Sequence, residues 1–261
     1  MNAQTTTANP TIRPLHQVAF IGWLPLMVLP AAMIALGQRM TPWLFMWAIA
    51  FAIFFSCKWL TWWQCHEINA PVWKHVGYLL GWVGMDAQTF LDPATTTPAP
   101  KLKEWLAAGL KTFFGAILIW GVARTVPEPL ARGWIGLLGF IFLLHFGTFH
   151  LLALAWRRIG VNAEPIMRAP ILATSLTDFW GHRWNAGFHQ LVRDLLFRRL
   201  HRRTGAAAAM MVVFFVSGII HELVISLPAG AGYGLPTAYF LAQGAGVLIE
   251  RSAIARIIRI A

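Results

Sequence analysis

Long apolar runs separated by short polar connections dominate the chain. The runs cover residues 18–36, 43–60, 105–122, 134–156, 206–227 and 235–249. A helix needs roughly 20 apolar residues to cross a bilayer, and each run approaches that length. The pattern predicts an all-α polytopic transmembrane helical bundle with about six membrane segments. Residues 72–90 are less apolar and contain three glycines, so a short or re-entrant segment is expected there.

The two ends of the chain differ from this pattern. Residues 1–17 are polar and rich in threonine, which predicts a disordered tail. The first run contains Pro25 and Pro30 and follows a weakly charged stretch without a clean cleavage site, so we expect a retained helix rather than a signal peptide. No long polar linker follows, and residues 18–261 are expected to form one membrane-embedded domain. The chain stops at Ala261 within a basic amphipathic run, so either a compact form or a C-terminal truncation is expected.

A second pattern follows the connection at 163–170. Ser175 and Asp178 have the spacing of a helix capping box. The apolar residues that follow at helical spacing are Trp180, Trp184, Phe188, Leu191 and Leu195. His182, Asn185, His189 and Arg193 fall on another face. Such a helix, with one basic and one apolar side, is typical of the membrane interface.

The composition supports the membrane assignment, and the distribution of basic residues predicts which side of the membrane the basic connection faces. The chain is 57% hydrophobic with a mean hydropathy of +0.59, and its 12% of charged residues is about half the usual share. Nine of the 21 basic residues crowd into one stretch: Arg157, Arg158, Arg168, Arg183, Arg193, Arg198, Arg199, Arg202 and Arg203. Basic connections mark the cytoplasmic side, which predicts a multi-pass protein of a bacterial inner membrane with 157–205 cytoplasmic. The cluster could also hold lipid headgroups or a phosphorylated substrate. No nucleic-acid-binding fold is visible, so no nucleic acid partner is expected.

Several catalytic classes lack their motifs. The sequence has no GxSxG, HExxH or CxxC motif, no glycine-rich phosphate loop and no set of histidine boxes. Cys57 and Cys65 predict no disulfide framework. His145 and His150 lie about 140° apart on a helix, which is poor for shared metal ligation. One interior polar contact is expected for each of these histidines, and no metal is predicted.

The apolar run at 206–227 contains an ionisable pair, His221 and Glu222. A charged side chain at mid-bilayer costs roughly 2.5–3.5 kcal/mol, so Glu222 must be protonated, paired or hydrated. His221 can be neutral, and Ser217 lies on the same helical face. A neutral imidazole in an apolar tunnel can serve as a general base. A hydrogen bond between helices, or a proton relay in a transporter, would explain the pair equally well.

Two strings in the chain resemble a known family. SLTDFWGHRWN, from Ser175 to Asn185, is followed by an arginine-bearing segment and then by SGIIHEL, from Ser217. In this order they resemble the wax-synthase-like branch of the membrane-bound O-acyltransferase (MBOAT) superfamily, whose typical motifs are DFWGRRWN and SGxxHE. The strings GYLLGWVGMDAQTF, LLHFGTFHLL and GYGLPTAYFLAQGAGVLIERS are similar to its bacterial members as well. The chain departs from the family at His182, where an arginine is common.

The resemblance implies acyl transfer from acyl-CoA to a hydroxyl inside a membrane-embedded chamber, with no other cofactor. His221 matches the family's catalytic histidine and would act as general base. Asn185 matches its paired asparagine and would either orient the substrate or support the active-site geometry by side-chain hydrogen bonds. The further residues expected to bind substrate are Trp180, Arg183, Trp184, Ser217, Glu222, Arg193 and Arg198. Guanidinium groups bind phosphate well, so Arg199, Arg202 and Arg203 join the basic residues expected near coenzyme A.

The expected acceptor is a long-chain alcohol, which gives a wax ester. Diacylglycerol, a glycan or another lipid hydroxyl remain alternatives. The rival functions are a proton-coupled lipid or solute transporter, with His221 and Glu222 as the relay, and a non-catalytic relative acting as a membrane scaffold. Neither rival needs Asn185 and His221 together.

Overall fold

The computed structural model describes residues 20–37, 39–94 and 97–252. The predicted disordered tail at 1–17 and nearly all of the terminal basic run lie outside these residues. Within the described ranges every regular element is helical and no strand occurs, which confirms the all-α prediction.

The helices follow the apolar runs. They are α1 Phe20–Gly37, α2 Pro42–Cys65, α3 Val72–Gly81, α4 Ala87–Leu91, α5 Leu102–Thr125, α6 Pro129–Arg158, α7 Leu176–Asp178, α8 Ala186–Ala229 and α9 Leu235–Glu250. Short π-helical stretches interrupt several of them at 117–122, 141–148, 193–197 and 222–226, and one follows α7 at 179–183.

Five of these helices are long and apolar enough to cross a membrane: α1, α2, α5, α6 and α8. This agrees with the predicted number of about six, because α9 fills the sixth apolar run with only 16 residues. The predicted short segment at 72–90 is two helices, α3 and α4. At 1.5 Å per residue, the ten residues of α3 reach only about 15 Å, which is half the hydrocarbon thickness.

One element differs from its prediction. The amphipathic helix expected to run on from Ser175 is broken between Arg183 and Ala186. Asn185 adopts a left-handed conformation, with φ of 45°, and the chain starts a new helix after it. An α-helix cannot continue through this conformation. The predicted apolar and basic faces therefore do not run continuously across the break.

The described residues form two compact units. The first comprises the described residues up to Gly81, together with Leu91–Pro93 and Leu195–Gly244. The second comprises Trp82–Phe90 and the described residues of Ala94–Asp194 and of the chain from Ala245 onward. The expectation of one membrane-embedded domain over 18–261 stays a prediction.

The first unit is built around the pairing of α1 and α2. Pro25 has no N–H to bond the carbonyl of Ile21, and the indole Nε1 of Trp59 donates to that carbonyl at 3.1 Å. The Ser56 hydroxyl donates to the carbonyl of Pro25 at 2.8 Å. Where lipid offers no hydrogen bonds, these side chains satisfy backbone groups of a proline-containing helix.

A buried lysine joins α2 to α3 in the same unit. Lys58 and Tyr78 are both 0% exposed, and the Lys58 Nζ lies 3.1 Å from the centre of the Tyr78 ring. The Tyr78 hydroxyl and the Thr61 Oγ1 are 2.7 Å apart. The Lys58 amino group lies over the face of the Tyr78 ring, and the Thr61 hydroxyl pairs with the Tyr78 hydroxyl. These polar groups therefore have partners inside an apolar unit.

The second unit depends on close contact between α5 and α6. A Cβ atom at Gly115 would lie 2.3 Å from the backbone nitrogen of Leu143, and one at Gly147 would lie 2.3 Å from the Thr112 Oγ1. Such small residues let membrane helices approach to backbone contact. An ion pair between Glu104 and Arg157, at 2.8 Å, links the same two helices.

Candidate active site

Asn185 lies at the break between the π-helical turn 179–183 and α8. Its Oδ1 accepts a hydrogen bond from the backbone N–H of Phe188 at 3.3 Å, so Asn185 is the N-cap of α8. Asparagine tolerates the left-handed conformation better than most residues. Its Nδ2 group donates to no residue in the part of the chain that the structure describes. The side chain therefore caps the helix with its oxygen and keeps two amide hydrogens for another partner.

The connection before the motif holds this break in place. The backbone N–H of Arg168 donates to the carbonyl of Arg183 at 2.9 Å, and that of Ala186 donates to Ile166 at 2.8 Å. Between them, the N–H of Asn185 points at the sulfur of Met167 at 3.3 Å. The segment 166–168 therefore fixes the backbone on both sides of Asn185. This holds the amide side chain of Asn185 in a defined position.

Aromatic rings pack beside the break. The Trp184 ring stacks on Phe179, with centres 5.4 Å apart, and on His145, at 6.3 Å and an interplanar angle of 17°. Trp180 contacts the same group edge-on, 5.0 Å from Phe179. The predicted substrate-binding residues Trp180 and Trp184 therefore lie in one aromatic cluster next to Asn185.

Arg183 is engaged within the motif. Its Nε donates to the Oδ2 of Asp178, and its Nη1 donates to the carbonyl of Ala169 at 3.3 Å. The hydrogen bond from Arg183 lowers the pKa of the Asp178 carboxyl below its usual value, with help from the N–H of Thr174. The Ser175 hydroxyl accepts from the Asp178 N–H at 2.9 Å, which confirms the predicted helix start. Arg183 therefore stabilises this turn through Asp178 and Ala169. Its binding of substrate stays a prediction.

Glu250, at the end of α9, clamps the start of the motif. Its two carboxylate oxygens accept the N–H groups of Leu176 and Thr177 at 2.6 and 3.0 Å, and the Thr177 hydroxyl at 3.1 Å. A carboxylate is a strong acceptor for free amides at the start of a helical turn. Sequence reasoning missed this residue. The available signal was a carboxylate in an otherwise apolar helix.

His221 lies in the first unit, at the point where the α-helical part of α8 passes into the π-helical stretch 222–226. Its Nδ1 is 2.7 Å from the carbonyl oxygen of Ser217, and its ring lies 4.5 Å from that of Phe240. A carbonyl oxygen can only accept, so Nδ1 must carry the hydrogen and Nε2 of the neutral ring carries the lone pair. The side chain is half-buried.

The Ser217 hydroxyl does not face the histidine ring. It donates to the carbonyl of Val213 at 2.9 Å, one turn earlier in the helix. Ser217 thus orients His221 through its backbone, as the predicted shared face allows. A contact of its hydroxyl with substrate stays a prediction.

Glu222 caps α9. Its Oε1 accepts the N–H groups of Gly234 and Thr237, at 3.0 and 3.1 Å, and the Thr237 hydroxyl at 3.0 Å. These donors satisfy Oε1, whereas Oε2 is buried and has no hydrogen-bond partner among the described residues. The carboxylate joins α8 to the start of α9, and its predicted contact with substrate stays a prediction.

The other arginines that were predicted to bind substrate or coenzyme A lie in the first part of α8. Arg193 pairs with the neighbouring Asp194 at 3.3 Å. Arg198, Arg199, Arg202 and Arg203 are exposed, on the turns before Gly205. Gly205 has a φ of 82°, which interrupts the helix immediately before the predicted apolar run. His221 belongs to the first unit and Asn185 to the second, so their pairing in one reaction stays a prediction.

Comparison with known proteins agrees with the motifs. The sequence model of the membrane bound O-acyl transferase family matches residues 163–242. A long-chain-alcohol O-fatty-acyltransferase of Simmondsia chinensis is 34% identical over 139 residues, which are 46% of this chain and 38% of that protein. A probable long-chain-alcohol O-fatty-acyltransferase 9 of Arabidopsis thaliana is 39% identical over 125 residues, 42% of this chain and 35% of its own length.

A third relative, the probable long-chain-alcohol O-fatty-acyltransferase 1 of Arabidopsis thaliana, is 42% identical over 74 residues, 25% of this chain and 22% of its own length. The chain therefore spans well under half the length of each of these relatives. The matched family segment contains the Asn185 break, the basic residues from Arg168 to Arg203 and the His221–Glu222 pair. Residues 163–242 therefore match the membrane bound O-acyl transferase family, and the chain is similar over part of its length to long-chain-alcohol O-fatty-acyltransferases. Its five long apolar helices agree with a multi-pass membrane protein.

Proposed function

We propose that the protein transfers a fatty acyl group from acyl-CoA to a hydroxyl acceptor, with a long-chain alcohol as the preferred acceptor. The observation that carries this proposal is the hydrogen bond from His221 Nδ1 to the Ser217 carbonyl. It leaves a lone pair on Nε2 in an apolar segment, which is what a general base for a hydroxyl needs. The names of the relatives support an alcohol as the acceptor.

The proposed step conserves atoms and charge. Nε2 of His221 takes the proton of the acceptor hydroxyl as its oxygen attacks the thioester carbonyl carbon. The C–O bond forms, the tetrahedral intermediate collapses and the C–S bond breaks. The imidazolium then returns the proton to the coenzyme A thiolate, so the products are an ester and free coenzyme A.

Asn185 supplies hydrogen bonds in this proposal. Its Oδ1 already caps α8, so only the Nδ2 group is available for a substrate. An amide donor held by a rigid break can orient a substrate oxygen and stabilise the charge it acquires.

The exposed arginines at 198–203 are proposed to receive the phosphates of coenzyme A, which remain in water while the acyl chain enters the apolar region. Acyl-CoA is then a co-substrate, and no further cofactor is proposed. This requires 157–205 to face the cytoplasm, as its basic residues indicate. The relatives described above come from plants, so they lend no support to a bacterial inner membrane. Membrane lipids are the remaining proposed partners, with no nucleic acid.

The test is ester formation by the purified full chain. Labelled acyl-CoA is incubated with a long-chain alcohol, diacylglycerol and a glycan acceptor, and lipid products are separated and counted. We expect labelled wax ester in excess over the other products. Preference for diacylglycerol or a glycan would correct the acceptor, and no product from any acceptor would contradict the enzyme.

The same preparation tests the rival functions. Reconstituted in liposomes, a proton-coupled transporter would move labelled substrate across the bilayer without covalent change. A scaffold would show neither transport nor product. We expect covalent transfer without net transport.

A further inference from the structure

His145 is a half-buried histidine that the proposed reaction does not use. It lies in the π-helical stretch 141–148 of α6, within the second unit. Its Nδ1 is buried and has no hydrogen-bond partner among the described residues. The sequence predicted one interior polar contact for this ring, and the structure supplies only aromatic contacts.

The π-helical backbone explains the missing partner. In the α-helical setting of His221, the ring reaches the carbonyl four residues earlier, at 2.7 Å. In the stretch around His145 the register is wider, and the Thr148 hydroxyl bonds the carbonyl of Leu143, five residues earlier. This backbone geometry offers the His145 ring no carbonyl in the position that Ser217 occupies for His221.

The burial of Nδ1 indicates which nitrogen of the His145 ring carries the hydrogen. Unpaired buried N–H groups are rarer in proteins than acceptors that lack a partner. The neutral ring therefore places its lone pair on the enclosed Nδ1 and its hydrogen on Nε2. Of the two nitrogens only Nδ1 is both enclosed and unpaired, and the ring is half-buried, so Nε2 lies on its accessible side.

The ring lies beside the motif. It is nearly parallel to the Trp184 indole at 6.3 Å, and the Phe149 ring contacts it edge-on at 5.4 Å. Trp184 directly precedes Asn185, whose Nδ2 group also donates to none of the described residues. A neutral imidazole N–H and an amide N–H therefore occur next to one aromatic cluster in the same unit. Packing alone would be served at least as well by phenylalanine.

We propose that Nε2–H of His145 donates a hydrogen bond to the thioester carbonyl oxygen of the bound acyl donor. The inference rests on the proposed acyl transfer. This oxygen gains negative charge when the acceptor attacks, and neutral donors fixed in an apolar setting stabilise such charge strongly. In this proposal His145 fixes the acyl group through its carbonyl oxygen.

The test uses three replacements of the ring. His145→Phe keeps a flat ring against Trp184 and removes the donor. His145→Gln places an amide N–H near the position of Nε2, while His145→Asn places it near Nδ1. His150→Phe, on the same helix, is the matched control.

Binding is measured first, without an acceptor, by calorimetry on the full chain in detergent. The probes are a long-chain acyl-CoA and its thioether, in which a methylene replaces the carbonyl. We expect His145→Phe to weaken thioester binding by up to about tenfold, the range of one hydrogen bond, and to leave thioether binding unchanged. His145→Gln should restore the preference for the thioester over the thioether. His145→Asn should behave like His145→Phe, and His150→Phe should behave like the parent. Equal weakening of both probes, or no change, would overturn the inference.

Turnover gives the second measurement. A lost oxyanion donor typically costs about 10²–10³ in kcat, so His145→Phe should fall by about that factor with little change in KM for the alcohol. Partial recovery by His145→Gln is expected, because glutamine can donate but cannot act as a base. An inactive His145→Gln with normal thioester binding would assign a proton transfer to His145 and contradict the donor role. A parent that binds both probes equally well and makes no ester would overturn the inference and the proposed function, whereas an active parent with a fully active Phe variant would overturn the inference alone.

Discussion

The Nδ1 atom of His221 lies 2.7 Å from the backbone carbonyl oxygen of Ser217, one helical turn earlier. This contact sets the tautomer of a ring in an apolar helix, and it depends on backbone geometry rather than on the serine side chain. Substitution of Ser217 that preserves the helix should leave the contact in place. The predicted chemistry therefore depends on Nε2.

The first prediction separates the two ring nitrogens of His221. His221→Asn places an amide donor near Nδ1, so the contact with the Ser217 carbonyl persists, while the base at Nε2 is lost. We expect ester formation to fall by about 10²–10⁴, with the thermal midpoint in detergent close to that of the parent. His221→Ala should be equally inactive and less stable. Rapid turnover by either variant would exclude His221 as the base.

The second prediction concerns Asn185, which combines a left-handed backbone, a helix cap and an unused amide. Asn185→Asp keeps the capping oxygen and tolerates the backbone, but it loses the Nδ2 donor. We expect a large loss of rate with near-normal stability. Asn185→Ala should in addition lose about 0.5–2 kcal/mol for the cap and about 1–2 kcal/mol for the backbone.

Asn185→Gly serves as the control for the backbone, since glycine adopts positive φ freely and costs little as a cap. It should fold like the parent and be as inactive as the aspartate variant. A fully active glycine variant would limit Asn185 to a structural role.

The third prediction uses pH to test the Arg183–Asp178 pair. The pKa of Asp178 is lowered by the hydrogen bond from Arg183, so the pair stabilises the fold above the usual carboxyl pKa of about 3.9. The contribution is lost as pH falls through the lowered pKa. Arg183→Gln should therefore unfold at a lower temperature than the parent near pH 7, and the difference should shrink on acidification below about pH 4. A difference independent of pH, with lost affinity for acyl-CoA, would favour phosphate binding by Arg183.

The fourth prediction concerns Glu222, whose Oε1 accepts three hydrogen bonds at the start of α9. Glu222→Gln keeps one oxygen acceptor and should lower the thermal midpoint less than Glu222→Ala. Esterification by the glutamine variant should remain measurable, because the carboxylate carries no proton in the proposed step. If glutamine abolished esterification in a protein as stable as the parent, Glu222 would need a direct role.

The fifth prediction concerns backbone contact between α5 and α6. A Cβ at Gly147 would lie 2.7 Å from the Cα of Thr112, and a backbone atom cannot move aside as a side chain can. Gly147→Ala should destabilise the second unit by about 1–3 kcal/mol. Gly136→Ala, on the same helix with nothing within 4 Å of its Cβ, should leave the midpoint unchanged or raised. Equal midpoints for the two variants would show that the helices are not in contact at Gly147.

Much of the helical content follows from sequence periodicity and length. Apolar runs of bilayer length predicted the five long helices, because in lipid the backbone must satisfy its own hydrogen bonds. Ser175, at the start of α7, marked a helix start correctly, because the capping signal is local. The SGIIHEL string placed His221 on a helical face with Ser217 for the same reason.

The sequence alone determined the class of fold, the positions of the apolar helices and the two motifs, because these depend on residues close together along the chain. Only the tertiary structure decided that the motif helix breaks at Asn185, since that break is held by Ile166, Met167 and Arg168 from another segment. It likewise decided that Glu222 caps α9 and that Glu250 clamps the motif, 73 and 74 residues away from its partners. The acceptors and donors of these bonds are distant in sequence, and no local pattern specifies which carboxylate reaches which free amide.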